Sequence, residues 1–204
     1  MKSFSSLFFS PSFAQDLDWK NARLRIGTVT PFNKQQISQS LRDMSHESIR
    51  NRFQGSKRHF SEQELEYLTT IDGWNHYAIG IEEREKLKRG VAVIRMVRSS
   101  ENPFEAEVAI TIIDEYQKIG LGRFLLELII LAASEREIQT LSFTFLPQNT
   151  ALPRLLHQIS KPIQGPSSLD SVQLYLDMRE IDLNEVKIRL QLHLGWIDSF
   201  HLKT

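Results

Sequence analysis

A glutamine and two glycines, Gln117, Gly120 and Gly122, stand at fixed spacing where a stretch of β-branched residues gives way to a helical pattern. Glycines at such a junction let the backbone approach an anion, and the first turn of the helix adds unpaired N–H donors and about half a positive charge. Residues 117–123 therefore predict an anion-binding loop. An ordinary chain reversal would use the same glycines, so that interpretation stays open at this point.

Three designs for holding a phosphate can be compared with this loop. A P-loop needs Gly-Lys followed by Ser or Thr, but Arg123 and Phe124 follow Gly122. A dinucleotide fingerprint needs a third glycine, where Leu125 stands, and a carboxylate about 20 residues later, which residues 141–146 lack. The remaining design is Gln-x-x-Gly-x-Gly, which the sequence matches.

The elements that position this loop follow from hydrophobic periodicity. Residues 105–113 alternate as a strand, residues 121–136 carry apolar side chains at helical spacing, and residues 141–145 return as a strand. This βαβ unit predicts two parallel strands with a right-handed crossover. The remaining elements are predicted as strands at 22–30, 77–81, 91–97, 172–178 and 188–194, helices at 30–44, 45–53, 149–159 and from Ser61 onward, and a loop at 161–168.

Length and charge limit the class of protein. The 204 residues, 41% of them hydrophobic, fit one large domain, which we predict over residues 22–204 after an N-terminal arm over 1–21. Lys and Arg number 25 and so do Asp and Glu, which predicts no attraction to nucleic acid or to an acidic membrane. No run of 18 apolar residues exists, and the first 15 residues make a poor signal peptide.

Cysteine and histidine usage exclude several kinds of site. The chain has no cysteine, which excludes disulfides, thiolate zinc sites and a cysteine nucleophile and agrees with a cytoplasmic location. The six histidines lack the spacing of common metal-binding pairs, so no metal is expected.

The Gln-x-x-Gly-x-Gly stretch resembles the acyl-CoA loop of the GNAT superfamily of N-acetyltransferases. The order of predicted elements over about residues 22–195 resembles the whole GNAT fold. That likeness implies an α/β protein with a mixed, mostly antiparallel twisted sheet of about six or seven strands and helices on both faces. Upstream, the stretches Ser45 to Ser48, Arg52-Phe53 and Ser61 to Leu65 are similar to the Pat-type protein lysine acetyltransferases.

The resemblance implies where acyl-CoA would bind. The backbone of the loop would hold the CoA pyrophosphate through Gln117, Lys118, Ile119, Gly120, Leu121, Gly122 and Arg123. Main-chain groups of Ile112 and Ile113 would pair with the pantetheine arm as an added strand would. Asn149 would lie near the pantetheine, and it equally fits a helix N-cap.

Amine acylation needs a base for the amine proton, and the resemblance places Glu107 at the catalytic glutamate of the Pat type. Glu105 is the substitute candidate, and a solvated carboxylate is the alternative interpretation of Glu107. Many GNAT enzymes use a tyrosine to protonate the leaving thiolate, but Leu156 and His157 stand at that place. The Gly-Phe that usually ends this helix is also missing.

The function that the resemblance implies is an acyl-CoA-dependent N-acyltransferase, with acetyl-CoA as the expected co-substrate. The Pat-like segment suggests a protein lysine as acceptor, and small amines stay open. The alternative is a non-catalytic acyl-CoA-binding regulatory or interaction module with the same fold.

Overall fold

Alternating apolar side chains form the strands of one central sheet. The computed structural model describes residues 13–55, 57, 59–84 and 89–194. The strands are β1 Ala14–Trp19, β2 Ala22–Thr28, β3 His76–Glu83, β4 Gly90–Arg98, β5 Glu105–Ile112, β6 Thr140–Phe145, β7 Ile163–Ser167 and β8 Val172–Asp177. Within the described ranges they form one eight-stranded sheet in the order β1-β2-β3-β4-β5-β6-β8-β7. The β5–β6 pair is parallel and the other pairs are antiparallel.

Helices cover both faces of this sheet. They are α1 Lys34–Ser40, α2 His46–Phe53, α3 Glu62–Thr69, α4 Leu121–Ser134, α5 Ala151–His157 and α6 Leu183–Leu194. Nearly every residue of α4 is buried, as expected for a helix between a sheet and a second helix. The α1 to α3 side carries polar sheet residues such as Thr111, whose neighbours Ile110 and Ile112 contact the core on the α4 side. None of the helices in the described part combines the length and apolar character that a bilayer crossing requires.

The predicted α/β class and mixed sheet are confirmed, but the sheet has one or two strands more than the six or seven expected. One additional strand is β1, which lies in the segment predicted as an N-terminal arm and pairs along its whole length with β2. Leu17 and Trp19 alternate with exposed residues and are buried. We therefore propose that the domain begins by Ala14 rather than at residue 22.

The second additional strand is β7, which was predicted as part of a loop. Gly165 and Pro166 indicate a turn in the sequence, yet β7 is an edge strand, where a proline removes no ladder hydrogen bond. A side chain at position 165 would meet the Tyr175 ring, with Cβ only 2.4 Å from Cε2. The glycine therefore makes room for an aromatic ring on the neighbouring strand.

The predicted strand at 188–194 is wrong, because these residues belong to α6. Ile188, Leu190, Leu192 and Leu194 alternate in the sequence, but Ile188 and Leu192 are exposed. The buried residues are Val186, Leu190 and Leu194, four apart, which is helical spacing. The carboxylate of Asp182 accepts hydrogen bonds from the amides of residues 184 and 185 and starts the helix.

Helix α2 is fixed over the carboxyl end of β5 by its N-terminal residues. Ser45 donates to the Asp114 carboxylate through its amide and its hydroxyl, both at 2.7 Å, and the Ser48 hydroxyl donates at 2.9 Å. Burial alone would raise the pKa of Asp114, but these hydrogen bonds lower it below its usual range. The ionised carboxylate thus holds α2 against the turn that precedes the glycine loop.

Candidate functional site

A cleft opens where β5 and β6 separate. The two parallel strands pair only from Glu105, opposite Thr140, to Glu107, opposite Ser142. Beyond Glu107, the β6 edge of β5 has no partner strand, and a cleft of about 730 Å³ lies between the two strands, α2, α5 and the glycine loop. A flexible chain with amide groups can add to such an open edge as an extra strand.

The glycine loop closes one end of this cleft with free backbone donors. In the described part of the chain, the amides of Gly120, Leu121, Gly122 and Arg123 have no hydrogen-bond acceptor, and the first internal bond of α4 runs from the Phe124 amide to the Gly120 carbonyl at 3.2 Å. These are the unpaired donors of a helix N-terminus, and they carry the positive end of the helix dipole. Four successive amides of this kind form a cradle for an anion.

Two glycines make this cradle possible for different reasons. Gly120 has φ +97°, which side-chain-bearing residues rarely adopt. Gly122 has an ordinary backbone, but a Cβ there would lie 3.3 Å from Leu155 Cδ2 and 3.6 Å from Ile112 Cδ1. A side chain at position 122 would therefore fill the floor of the cleft, which the glycine leaves open for a ligand.

Gln117 acts through its side chain, which the sequence pattern did not reveal. Its Nε2 donates to the Ser48 hydroxyl and to the Ile112 carbonyl, both at 3.0 Å. It thereby joins the start of the loop to α2 and to the end of β5. The Ile112 carbonyl keeps one lone pair for a ligand, since a carbonyl oxygen has two.

Several residues predicted to bind acyl-CoA have amides or side chains that are already hydrogen-bonded or buried. The Ile113 amide donates to the Val91 carbonyl at 3.0 Å, and its side chain is fully buried. Leu121 is also fully buried, so only its amide can contribute. Arg123 lines the cleft, but its Nε is bonded at 2.9 Å to Glu127. Lys118 is exposed beside the cleft and is the less constrained of the two cations.

The far wall of the cleft carries Asn149 and lacks a tyrosine. The Asn149 side-chain oxygen accepts from the Leu152 amide at 3.2 Å at the start of α5, and the residue also lines the cleft. Leu156, at the place of the usual tyrosine, is fully buried, and His157 is exposed. Among the described residues that line the cleft there is no tyrosine.

Of the two carboxylates considered as bases, Glu107 faces the cleft and Glu105 does not. Glu107 stands at the last position where β5 pairs with β6, and the two strands separate beyond it. Its side chain is exposed, and its charge interacts with the Arg52 guanidinium of α2. The carboxylate is therefore open to a solute that enters between the strands.

Trp19 contacts the glycine loop, although no sequence motif predicted a role for it. Its Nε1 donates to the Ile119 carbonyl at 3.1 Å, and its ring lies 3.4 Å from where a Gly120 Cβ would be. The ring also contacts Phe124, with 5.0 Å between centroids. Apolar and polar residues alternate over residues 14–19, which indicates a strand with one buried face rather than an arm, and Trp19 is on that face.

No group of three or more histidine and acidic side chains that could hold a metal ion occurs in the residues that the structure describes. The candidate site is thus made of a backbone anion cradle, an open strand edge and one carboxylate.

Comparison with known proteins gives curated relatives and several solved structures. No family model matches the chain. The acetyltransferase Pat of Mycolicibacterium smegmatis is 32% identical over 117 residues, which cover 57% of this chain and 34% of that protein. This chain thus spans about a third of the length of this curated relative.

Three solved structures share the fold. The GNAT domain of Streptomyces lividans PAT superposes with a TM-score of 0.70 at 22% identity, over 80% of this chain and 96% of that one. A cAMP-binding acyltransferase from Mycobacterium smegmatis gives 0.59 at 24% identity, over 85% and 49%. A putative acetyltransferase from Salmonella typhimurium, solved with acetyl-CoA, gives 0.59 at 17% identity, over 76% and 94%. The chain is thus similar in sequence to part of the acetyltransferase Pat and shares its fold with the GNAT domain of the S. lividans protein.

Proposed function

We propose that this protein is an acyl-CoA-dependent N-acyltransferase that moves an acyl group, acetyl in the first instance, directly to an amine. The observation that carries the proposal is the set of free amides from Gly120 to Arg123 at the end of a cleft that opens beside Glu107. A diphosphate fits four convergent N–H donors at a helix N-terminus, and a pantetheine chain fits an unpaired strand edge.

Each part of the site would perform one step. The loop amides hold the diphosphate, and the free edge of β5 beyond Glu107 directs the pantetheine and thioester toward that carboxylate. The acceptor nitrogen bonds to the acyl carbon, the carbon–sulfur bond breaks, and its electron pair leaves with sulfur. Glu107 takes the proton that the nitrogen loses. Holding donor and acceptor together supplies much of the rate enhancement.

The thiolate leaves without a tyrosine donor. Leu156 is buried where many GNAT enzymes place that tyrosine, so we infer that the sulfur receives its proton from solvent. The cleft is open enough to admit water beside Glu107, whose side chain is exposed.

We further propose a protein lysine as the acceptor. The similarity to Pat supports this choice, because the Pat-type enzymes that the sequence resembles are protein lysine acetyltransferases. The matched region covers 117 residues of the acetyltransferase Pat. The acceptor would approach over α2, which forms the wall of the cleft opposite α5.

The test measures thiol release from acetyl-CoA with lysine peptides as acceptors, for wild type and Glu107→Gln. We expect the variant to lower kcat about 10²- to 10⁴-fold, as removal of a general base does, while its affinity for acetyl-CoA stays within a factor of two (about 0.4 kcal/mol). Glu105→Gln is the matched control, since Glu105 does not line the cleft. Stabilisation by acetyl-CoA without release on any amine would favour the non-catalytic module instead.

A further inference from the structure

The guanidinium of Arg52 lies in the wall of the cleft on the acceptor side. Its Nε donates to the Thr111 hydroxyl at 2.9 Å, and its Cζ lies 5.0 Å from the centre of the Phe53 ring. One edge of the guanidinium is thus fixed against β5 and one face is covered by an aromatic ring. In the described part of the chain, its two terminal amino groups have no hydrogen-bond partner, although the residue lines the cleft.

A second guanidinium, that of Arg95, raises the positive charge of this region. Arg95 contacts His76 Nε2 at 2.8 Å and the Leu68 carbonyl at 3.2 Å, which are neutral partners. Burial lowers the pKa of His76 to about 4, helped by the Arg95 charge, so the imidazole is neutral at pH 7. Neither arginine forms a salt bridge with any acidic residue in the ranges that the structure describes.

Burial disfavours the charged form of a guanidinium that forms no salt bridge. Burial lowers the pKa of Arg52, and Glu107 across the cleft opposes that change. Burial and the Arg52 charge lower the pKa of Arg95 to about 10. The Arg52 guanidinium, which lines the cleft and has a neutral hydrogen-bond partner, is stabilised when an anion approaches it there. A guanidinium with two free amino groups matches a carboxylate, because it can donate two parallel hydrogen bonds.

Glu107 and Thr111, which binds the Arg52 guanidinium, lie on the same face of β5. Glu107, Ala109 and Thr111 alternate with the core-facing residues, so all three lie toward α2. Ala109 lies between Glu107 and Thr111 along this face of the strand, and all three residues line the cleft. An elongated solute can therefore place a cationic or amine end at Glu107 and an anionic end at Arg52.

We propose that Arg52 binds a carboxylate of the acceptor, so that the acceptor is an amine with a carboxylate near it. This inference rests on the proposed function and names its substrate class. The carboxylate belongs either to an acidic side chain beside a lysine in a protein or to a free amino acid. Both sources present the same chemistry to the guanidinium.

The experiment compares matched acceptors with wild-type protein and acetyl-CoA. One pair is two capped lysine peptides that differ only in the residue beside the lysine, Glu or Gln, and the other pair is free lysine and lysinamide. We expect kcat/KM to favour the carboxylate member of one pair about 10- to 100-fold, as charge-assisted hydrogen bonds do. The pair that responds identifies the source.

The variant Arg52→Met removes the charge and keeps much of the side-chain volume. We expect it to bring the ratio within the responding pair to about one, while Arg52→Lys keeps part of the preference because an ammonium is a single point charge. Stabilisation by acetyl-CoA, measured by thermal shift, reports that each variant is folded. Because the wild-type comparison needs no variant, a folding failure of Arg52→Met does not remove the test.

Three results would overturn the inference. Equal rates within both pairs on an active enzyme would remove the carboxylate site and leave the proposed function intact. A preference for succinyl-CoA over propionyl-CoA that Arg52→Met abolishes would place the carboxylate on the acyl group. If no amine reacts, the proposed function fails, and calorimetric binding of the same peptide pair to the CoA-saturated protein still decides, with equal affinities counting against Arg52.

Discussion

The hydrogen bond from Trp19 to the glycine loop predicts a specific loss when it is removed. Trp19→Phe keeps an aromatic ring beside Phe124 but deletes the Nε1 donor that holds the Ile119 carbonyl at 3.1 Å. A neutral hydrogen bond contributes about 0.5 to 1.5 kcal/mol net, which corresponds to about a two- to twelvefold change in an equilibrium constant. The loop that loses this bond is the one that presents the amides of Gly120 to Arg123.

We therefore expect the dissociation constant of acetyl-CoA to rise about two- to twelvefold in Trp19→Phe, with kcat at saturation changed less than KM. Isothermal calorimetry gives the first quantity and thiol release gives the other two. The matched control is Trp74→Phe, because Trp74 is 51% exposed and lies beside Arg98 rather than the loop. Unchanged acetyl-CoA affinity in Trp19→Phe, together with a loss of thermal stability, would show that Trp19 serves the core alone and refute the argument.

Two further predictions concern backbone strain and pH. Gly120→Ala should destabilise the fold by about 1 to 2 kcal/mol in chemical denaturation and weaken acetyl-CoA binding, because φ is +97° there and the new Cβ would lie 3.4 Å from Trp19. Gly73→Ala, with φ +76° and open space around it, should cost similar stability and leave binding unchanged; equal effects on binding would contradict a local role for Gly120. Burial and the Arg95 charge lower the pKa of His76 to about 4, below the 6.5 of an unperturbed histidine in the unfolded chain. The native state therefore loses stability as the pH falls from 6.5 toward 4, because only the unfolded chain readily takes up the proton. His76→Gln should flatten the dependence of Tm on pH in that window, and an identical pH profile in the variant would remove His76 as its cause.

The part of the fold that the sequence predicted best is the part with strong periodicity. The strand at 105–113, the helix after Gly120 and the strand at 141–145 were found within a few residues, because the first alternates with period two and the helix carries apolar side chains at helical spacing. The capping box at Ser61 and Glu64 was also confirmed, since both side chains bond across the first turn of α3.

Errors arose where local pattern and tertiary context disagree. Residues 188–194 alternate like a strand, but burial against the core selects every fourth residue and makes them a helix. The Gly165-Pro166 pair indicates a turn, but an edge strand tolerates proline and Tyr175 fills the space above the glycine. The first cue depends on which residues face the core, and the second depends on which strand lies at the edge of the sheet.

Some residues of the candidate site could be predicted from the sequence, and others could not. The glycines and Glu107 follow from local motif and resemblance, and the structure brings them to one cleft. Trp19 and Arg52 lie about 100 and 59 residues from their hydrogen-bond partners in sequence, at separations for which no motif applies. Their contributions depend on how β1 and α2 pack against the loop and against β5.

In the proposed function, backbone amides rather than charged side chains hold the diphosphate of the acyl carrier. Amide chemical shifts of Gly120 to Arg123 in ¹⁵N-labelled protein test it most directly, measured with CoA and with pantetheine, which has no phosphate. We predict downfield shifts of these amides with CoA and little change with pantetheine, because hydrogen bonds to an anion deshield the N–H protons. Amides that do not respond to CoA, or that respond equally to pantetheine, would contradict the account.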